Sequence, residues 1–373
     1  MLRLAIPTAA RAGEATTTPG GYRVLAPITH GNLTIFPVVG ASTHDTHDLI
    51  TLDEGLRSGE VIVTEAGQVQ PLMRRRGTPQ RYRYSGDGAQ VNQLVLVNNS
   101  KRPLLLLAGE IVTGGKQDRV IGKDRIIPAE SDPIDLGVFC VEPGRWVAQS
   151  DRFSGLSAQM AQPSVRKKAM AEKDQQKVWA EVGKSRQAAA DAVASASPSV
   201  SAGSGAGVGG GVMASQVREM SSYARVMDNK AVKAQVDSVA GPMERSYDAV
   251  IRQLKDQNAV GVVVAINGEI EWVDVFASTD LLQRYWRKLV RSYAAETIGV
   301  RPAKYGQLGT KEAQAFLEDW SGKRQTVETE PGLYRHVEVV GRGFRAFQLT
   351  SLLPKTGFDL HLSKMAEEQL IGD

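Results

Sequence analysis

The stretch Leu104–Trp146, LLLLAGEIVTGGKQDRVIGKDRIIPAESDPIDLGVFCVEPGRW, sets apolar runs on either side of a glycine-centred turn. Leu104 to Leu107, Val112 to Val120, Arg125 to Pro128 and Ile134 to Val141 each have the length and composition of a strand. Gly114-Gly115 interrupts the second of them, where a tight turn or bulge is expected because glycine tolerates positive φ. Short strands with frequent turns predict an antiparallel β-sandwich or barrel-like N-terminal half, not alternating βα units.

The pattern extends upstream. Asn32 to Val39 mixes β-branched and aromatic residues, Thr51 to Arg57 suits a short helix, and Val61 to Glu65 alternates as a half-buried strand does. Val91 to Val97 and Leu104 to Leu107 flank Asn98-Asn99-Ser100-Lys101, a turn-forming sequence, and read as a hairpin. Downstream of Trp146 the composition changes. Pro163 to Ala192 reads as a solvated, basic helix, and Ser195 to Gly211 (SASPSVSAGSGAGVGGG) as a flexible linker with too little apolar surface to order itself.

Helical spacing returns with Met213, Val217, Met220, Ala224 and Met227, and again with Met243, Tyr247, Val250, Ile251 and Leu254 after Gly241-Pro242, read as a helix break. Asn267-Gly268 between two apolar runs is a hairpin signal. Thr279 or Asp280 is expected to cap a helix with Leu282, Tyr285, Leu289 and Tyr293 on one face, a further helix runs from about Lys311 to Trp320, and Gly332 to Thr350 makes a last hairpin. The fold class expected is α+β, with a helical and β-hairpin C-terminal half. The organisation expected is a tail or signal-peptide remnant over 1–21, a β-rich domain with the candidate site over 22–160, the basic helix and linker over 161–212, and an α+β region over 213–373 that packs on the first.

The 373 residues carry 45 basic and 41 acidic side chains, a net charge of +4. The excess lies in Pro163 to Gln187, outside which the two signs balance, and this argues against a nucleic-acid-coating surface. The single cysteine, Cys140, excludes an intrachain disulfide and a multi-cysteine zinc site. No apolar run reaches the roughly 18 to 20 residues of a membrane span. A cytoplasmic location is favoured slightly over export, the methionine stripe leaves a homo-oligomer open, and no cofactor follows from the sequence.

Several groups could carry chemistry. Gly114 and Gly115 allow close backbone approach to a ligand, and Lys116 and Arg119 add cations at the same point, as an anion site requires; a bulge with a surface ion pair is the alternative. Glu110 and Glu142, each beside an apolar run, are the candidate catalytic acid–base carboxylates, or else partners of Arg119 and Arg145. Gln117, Asp118, Arg145 and Trp146 complete a candidate ligand-binding set, in which Trp146 either stacks on a base or seals the core. Cys140, inside an apolar strand, reads as an inert core thiol. His44 and His47 in HDTHD lack the spacing of a metal site and read as a solvated loop, as do Arg74, Arg75 and Arg76; no metal ligands are assigned.

Gly109-Glu110, Gly115-Lys116-Gln117-Asp118-Arg119 and Cys140-Val141-Glu142-Pro143-Gly144-Arg145-Trp146 resemble the signature of the ADP-ribosylglycohydrolase- and rhodanese-phosphatase-associated protein domain, a bacterial family of unassigned function. Gly261 to Phe276 and Gln283 to Ala295 are similar to its C-terminal half, so the resemblance spans about Gly31 to Ala295. Family members usually have Asn where this chain has Asp118. The resemblance implies a role near NAD or ADP-ribose metabolism, by association only. The function expected is binding or processing of a nucleotide-like or phosphorylated small molecule; the alternative is a non-enzymatic interaction or self-assembly protein in which the same charges are structural.

Overall fold

Asn267 and Gly268 take φ of 52° and 80° and join the strands Asn258–Ile266 and Glu269–Phe276, the hairpin their sequence predicts. This hairpin lies inside a nine-stranded sheet in the computed structural model, which describes residues 21–66, 91–155, 159–196, 209–253, 258–301 and 308–367. The expected tail before residue 21, Arg74 to Arg76, and residues 197–208 of the expected linker lie outside the described residues.

The strand order is Tyr22–Val24, Leu33–Gly40, Asn258–Ile266, Glu269–Phe276, Asp359–Ala366, Phe344–Ser351, Tyr334–Gly341 and Gly322–Glu330, with Ile28–His30 paired to Leu33–Gly40 off this path. All its pairings are antiparallel. Leu33–Gly40 thus pairs with a strand more than two hundred residues downstream, Leu33 opposite Ile266. On one face of the sheet the helix Thr279–Glu296 buries Leu281, Leu282, Tyr285, Leu289 and Tyr293, and Lys230–Gln253 packs against it. On the other face Thr310–Glu318 sets Ala313 and Leu317 against Val263, Val339 and Phe344.

The remaining N-terminal strands form two small sheets. One is ordered Val61–Glu65, Gln93–Asn98, Ile134–Cys140, Arg119–Ile121, Ile111–Val112; the other is Arg125–Ile127, Leu104–Leu106, Ile50–Thr51. They enclose one core around Val63, Leu94, Leu96, Leu104, Leu106, Val138 and Phe153. The architecture is mixed α+β, as expected.

Four local readings need correction. Gln93–Asn98 and Leu104–Leu106 are not a hairpin but belong to different sheets, because the Asn98 amide donates to Arg102 O and Pro128 O, both at 2.9 Å, and holds the chain in a wider loop. The pairing of Ile50–Thr51 with Leu104–Leu106 is parallel, so the N-terminal half is not purely antiparallel. Pro242 sits inside a continuous helix. Proline inside a helix costs about 3 kcal/mol, but the buried face Val236, Ala240, Met243, Tyr247 continues across it, and packing of that face outweighs the lost bond. Ser278, not Thr279 or Asp280, caps Thr279–Glu296 by accepting from Leu281 N–H at 3.0 Å.

The basic segment divides into Pro163–Lys167, a π-helical turn Lys168–Glu172, and Gln175–Ala196, with Lys173 left-handed (φ 53°) at the junction. It is also less solvated than its charge suggests, since Arg166 is fully buried. The methionine stripe divides too, into Gly209–Glu219 and Tyr223–Asp228, the second capped by Ser222. No described helix is long and apolar enough to cross a membrane.

Candidate functional site

The glycine turn links Ile111–Val112 to Arg119–Ile121. Gly114 and Gly115 have φ of 126° and 49°, and a Cβ on Gly115 would lie 2.3 Å from the Phe153 ring. Bare backbone is required there. Lys116 N–H donates to Glu65 Oε1 at 2.7 Å, and Gly114 N–H to Asp118 Oδ1 at 3.0 Å. Asp118 N–H in turn donates to Glu142 Oε2 at 3.0 Å, and Ser222 Oγ to the second oxygen of Asp118 at 2.5 Å.

Arg145 closes this network. Its guanidinium donates to Glu142 Oε2 at 2.5 Å, to Gly115 O at 2.9 Å and to Val147 O at 2.7 Å, and lies 3.6 Å from Asp118. Gln117 Nε2 donates to Glu142 O at 3.1 Å. Burial raises the pKa of Asp118, with the charge of Glu142 adding to it and the Ser222, Gly114 and Arg145 contacts opposing it. Arg119 is wholly buried, with Nε donating to Val91 O at 2.8 Å, and burial lowers its pKa. Trp146 does not seal the core: it is 44% exposed, with the Lys116 ammonium 5.0 Å from its ring centroid. Cys140 is fully buried, and burial raises its pKa, as for a core thiol.

Glu110 keeps different company. One oxygen accepts from Leu107 N–H at 2.7 Å, and the other accepts from Lys288 Nζ. Lys288 also donates to Asp53 Oδ2 at 2.6 Å, so one buried ammonium bridges two carboxylates. Burial pushes the Glu110 carboxyl up to about 7; the Lys288 charge opposes that rise and Asp53 adds to it. For Lys288 burial acts against the charged form, but Glu110 and Asp53 more than offset it and the pKa is raised.

Asp53 and Lys288 line a cleft of about 830 Å³. Its walls come from the helices Leu52–Ser58, Lys230–Gln253 and Thr279–Glu296 and from the segments Arg152–Gly155 and Gln159–Met160. The short helix is fixed by a capping box, Thr51 Oγ1 accepting from Glu54 N–H and Glu54 Oε2 from Thr51 N–H, which orients Asp53 in its first turn. Seven lining side chains are Lys or Arg against three Asp or Glu. Arg284 is paired with Glu54, Lys288 with Asp53 and Glu110, and Arg291 with Asp237. Arg57, Arg152 and Lys233 line the cleft with no ion pair within 4 Å among the described residues, while the charge of Arg287 acts on Glu244 and Asp228 adds a third carboxylate to the lining.

The glycine turn stands behind this cleft, not in it. Thr113 pairs with Ser154 and Glu110 with Met160 as isolated bridges, which dock the wall segment onto the turn, and Phe153 packs over Gly115. Glu142, Arg145, Gln117, Asp118, Arg119, Lys116 and Trp146 are not among the lining residues. The fold thus brings Gly114, Gly115, Gln117, Asp118, Glu142 and Arg145 together in one closed network and gives Glu110 to another cluster.

The description "ARG and Rhodanese-Phosphatase-superfamily-associated Protein domain" matches residues 21–365, nearly the whole chain. The chain belongs to this family. The family name records association with ADP-ribosylglycohydrolases and the rhodanese-phosphatase superfamily and specifies no ligand. A search of the curated proteins found no match, and neither did a search of the solved structures.

This family member also holds a polar network that sequence reading missed. His361 Nδ1 lies 2.6 Å from Asp124 and Nε2 lies 3.1 Å from Asp274; Asp274 also binds Arg166 and accepts from the Tyr293 hydroxyl. Asp124, Asp274, His361 and Arg166 are all fully buried. The available signal was a charge on an apolar face: Asp274 inside the strand EIEWVDVF, and Lys288 three residues after Tyr285 on the buried side of its helix. His44 stacks at 4.0 Å on Phe358, and His47 is 3.8 Å from Asp280. Among the described residues no group of three or more His, Cys, Asp or Glu could hold a metal ion.

Proposed function

We propose that the chain binds a phosphorylated, nucleotide-like small molecule in the cleft above Lys288. The observation that carries this reading is the excess of cations around a single cleft, seven Lys or Arg side chains against three Asp or Glu, with Arg57, Arg152 and Lys233 in no ion pair within 4 Å among the described residues. Cations that are not matched by carboxylates leave an electropositive hollow, and guanidinium groups suit phosphate oxygens through their forked donors. A cleft of about 830 Å³ lies within the roughly 300 to 1,000 Å³ of small-molecule sites. In this reading Asp53, Glu110 and Lys288 are the groups available for an acid–base step. The glycine turn of Gly114 to Arg119, with Glu142 and Arg145, supports the wall, since Asp118, Glu142 and Arg145 already bond to one another. The family's association with ADP-ribosylglycohydrolases makes ADP-ribose and NAD the first ligands to test.

The test is isothermal titration with ADP-ribose, NAD and inorganic pyrophosphate. The wild-type chain is expected to bind at least one of them, with affinity that falls as salt rises, and R57A/R287A is expected to lose about tenfold or more. Heat with none of the three, or unchanged affinity in the double variant, overturns the assignment.

A further inference from the structure

We infer that anion binding in the cleft is coupled to uptake of a proton by Glu110, so that the site is a proton-linked anion receptor. The inference rests on the cleft reading above and concerns how that site is regulated. Its basis is the unequal setting of the two carboxylates that share Lys288. The ammonium has three donors, of which two go to Asp53 and Glu110, and it lies 4.5 Å from the ring centroid of Tyr285; Lys288 also lines the cleft. An anion that approaches this ammonium from the cleft sets three negative charges around one positive charge. In a site with little water this arrangement is relieved when one carboxylate takes a proton.

Burial decides which one. The Asp53 side chain is 16% exposed and keeps contact with solvent, whereas Glu110 is 1% exposed. The groups that face Glu110 are few: Lys288 and Tyr285 from the helix Thr279–Glu296, Asp53 from Leu52–Ser58, and Leu107 N–H from its own turn. Tyr285 cannot compensate, because its hydroxyl already donates to Leu105 O at 3.1 Å. Met160, paired with Glu110 across the backbone, brings no charge. Burial already sets Glu110 near 7, so a neighbouring anion moves its titration through neutral pH. Binding then requires the proton, and affinity falls as pH rises.

ADP-ribose is the suitable probe, because its diphosphate diester does not itself titrate near neutrality. Its binding to the full-length chain is measured calorimetrically at pH 7.5 in two buffers of low and high ionisation enthalpy. Uptake of about half a proton or more per ligand is expected for the wild type. Glu110→Gln is expected to keep binding while the uptake disappears. Wild-type binding with no linked proton overturns the coupling but leaves the cleft reading intact, as does undiminished uptake in Glu110→Gln. Absence of any binding removes both. If Glu110→Gln does not fold, the wild-type experiment and the decline of wild-type affinity from pH 6.5 to 8.5 decide the matter alone.

Discussion

Arg166 meets Asp274 with both terminal guanidinium nitrogens, at 3.0 and 3.1 Å, and neither side chain is exposed to solvent. The pair joins the first turn of Pro163–Lys167 to the middle of the large sheet, and the guanidinium lies 4.3 Å from the ring centroid of Trp272. Gly109 makes room for it: a Cβ there would come 2.6 Å from Arg166 Cγ. Removing one partner of a buried ion pair leaves the other charge without compensation and costs about 3 to 5 kcal/mol. Arg166→Met is therefore expected to lose that much stability in urea denaturation. A loss below about 1 kcal/mol would show that His361 and Tyr293 alone can hold the Asp274 charge.

His361 makes stability depend on pH in a defined window. Burial alone would lower its pKa, but the Asp124 charge and the bonds to Asp124 and Asp274 outweigh burial and raise it to about 9. A folded-state pKa above the unfolded value near 6.5 means that the native state holds the extra proton. Its contribution is complete below about pH 6.5 and is lost as pH rises through about 9. The melting temperature is expected to fall across that interval. His361→Asn should flatten this decline, and a wild-type curve with no slope between pH 6.5 and 9 would mean that His361 is neutral in the fold.

Legibility in the sequence followed the range of the interaction. Asn267-Gly268 announces its hairpin because two adjacent residues supply the whole turn geometry. Glu142 and Arg145 were paired in the sequence because they are three residues apart. Glu110, picked out by its apolar flank, is buried, but its partner Lys288 lies 178 residues away and no local pattern connects them. The strand Gly322–Glu330 was missed since, as an edge strand exposed along most of its length, its sequence GKRQTVETE carries no apolar alternation. The cleft is of the same kind: Arg57, Arg152, Lys233 and Arg287 come from four segments, and only the fold makes them neighbours of one hollow.

Two glycines with positive φ separate the strain of the glycine turn from its packing. Gly115 has φ of 49°, and an added Cβ would stand 2.3 Å from Phe153 and 2.6 Å from Glu65 Oε1; Gly144 has φ of 94°, with nothing within 4 Å. Alanine at either position suffers backbone strain on the order of 1 to 2 kcal/mol. Only Gly115→Ala also collides with the residue that holds the cleft wall in place, since Phe153 lines the cleft and its N–H donates to Val63 O at 2.9 Å. The wall must move or the turn must open, and overpacking of this kind adds about 1 to 3 kcal/mol. Gly115→Ala is thus expected to be the more destabilised variant and to show weakened ADP-ribose binding, while Gly144→Ala binds as the wild type does. Equal stability and equal binding in the two variants would sever the turn from the cleft and return it to a local structural role.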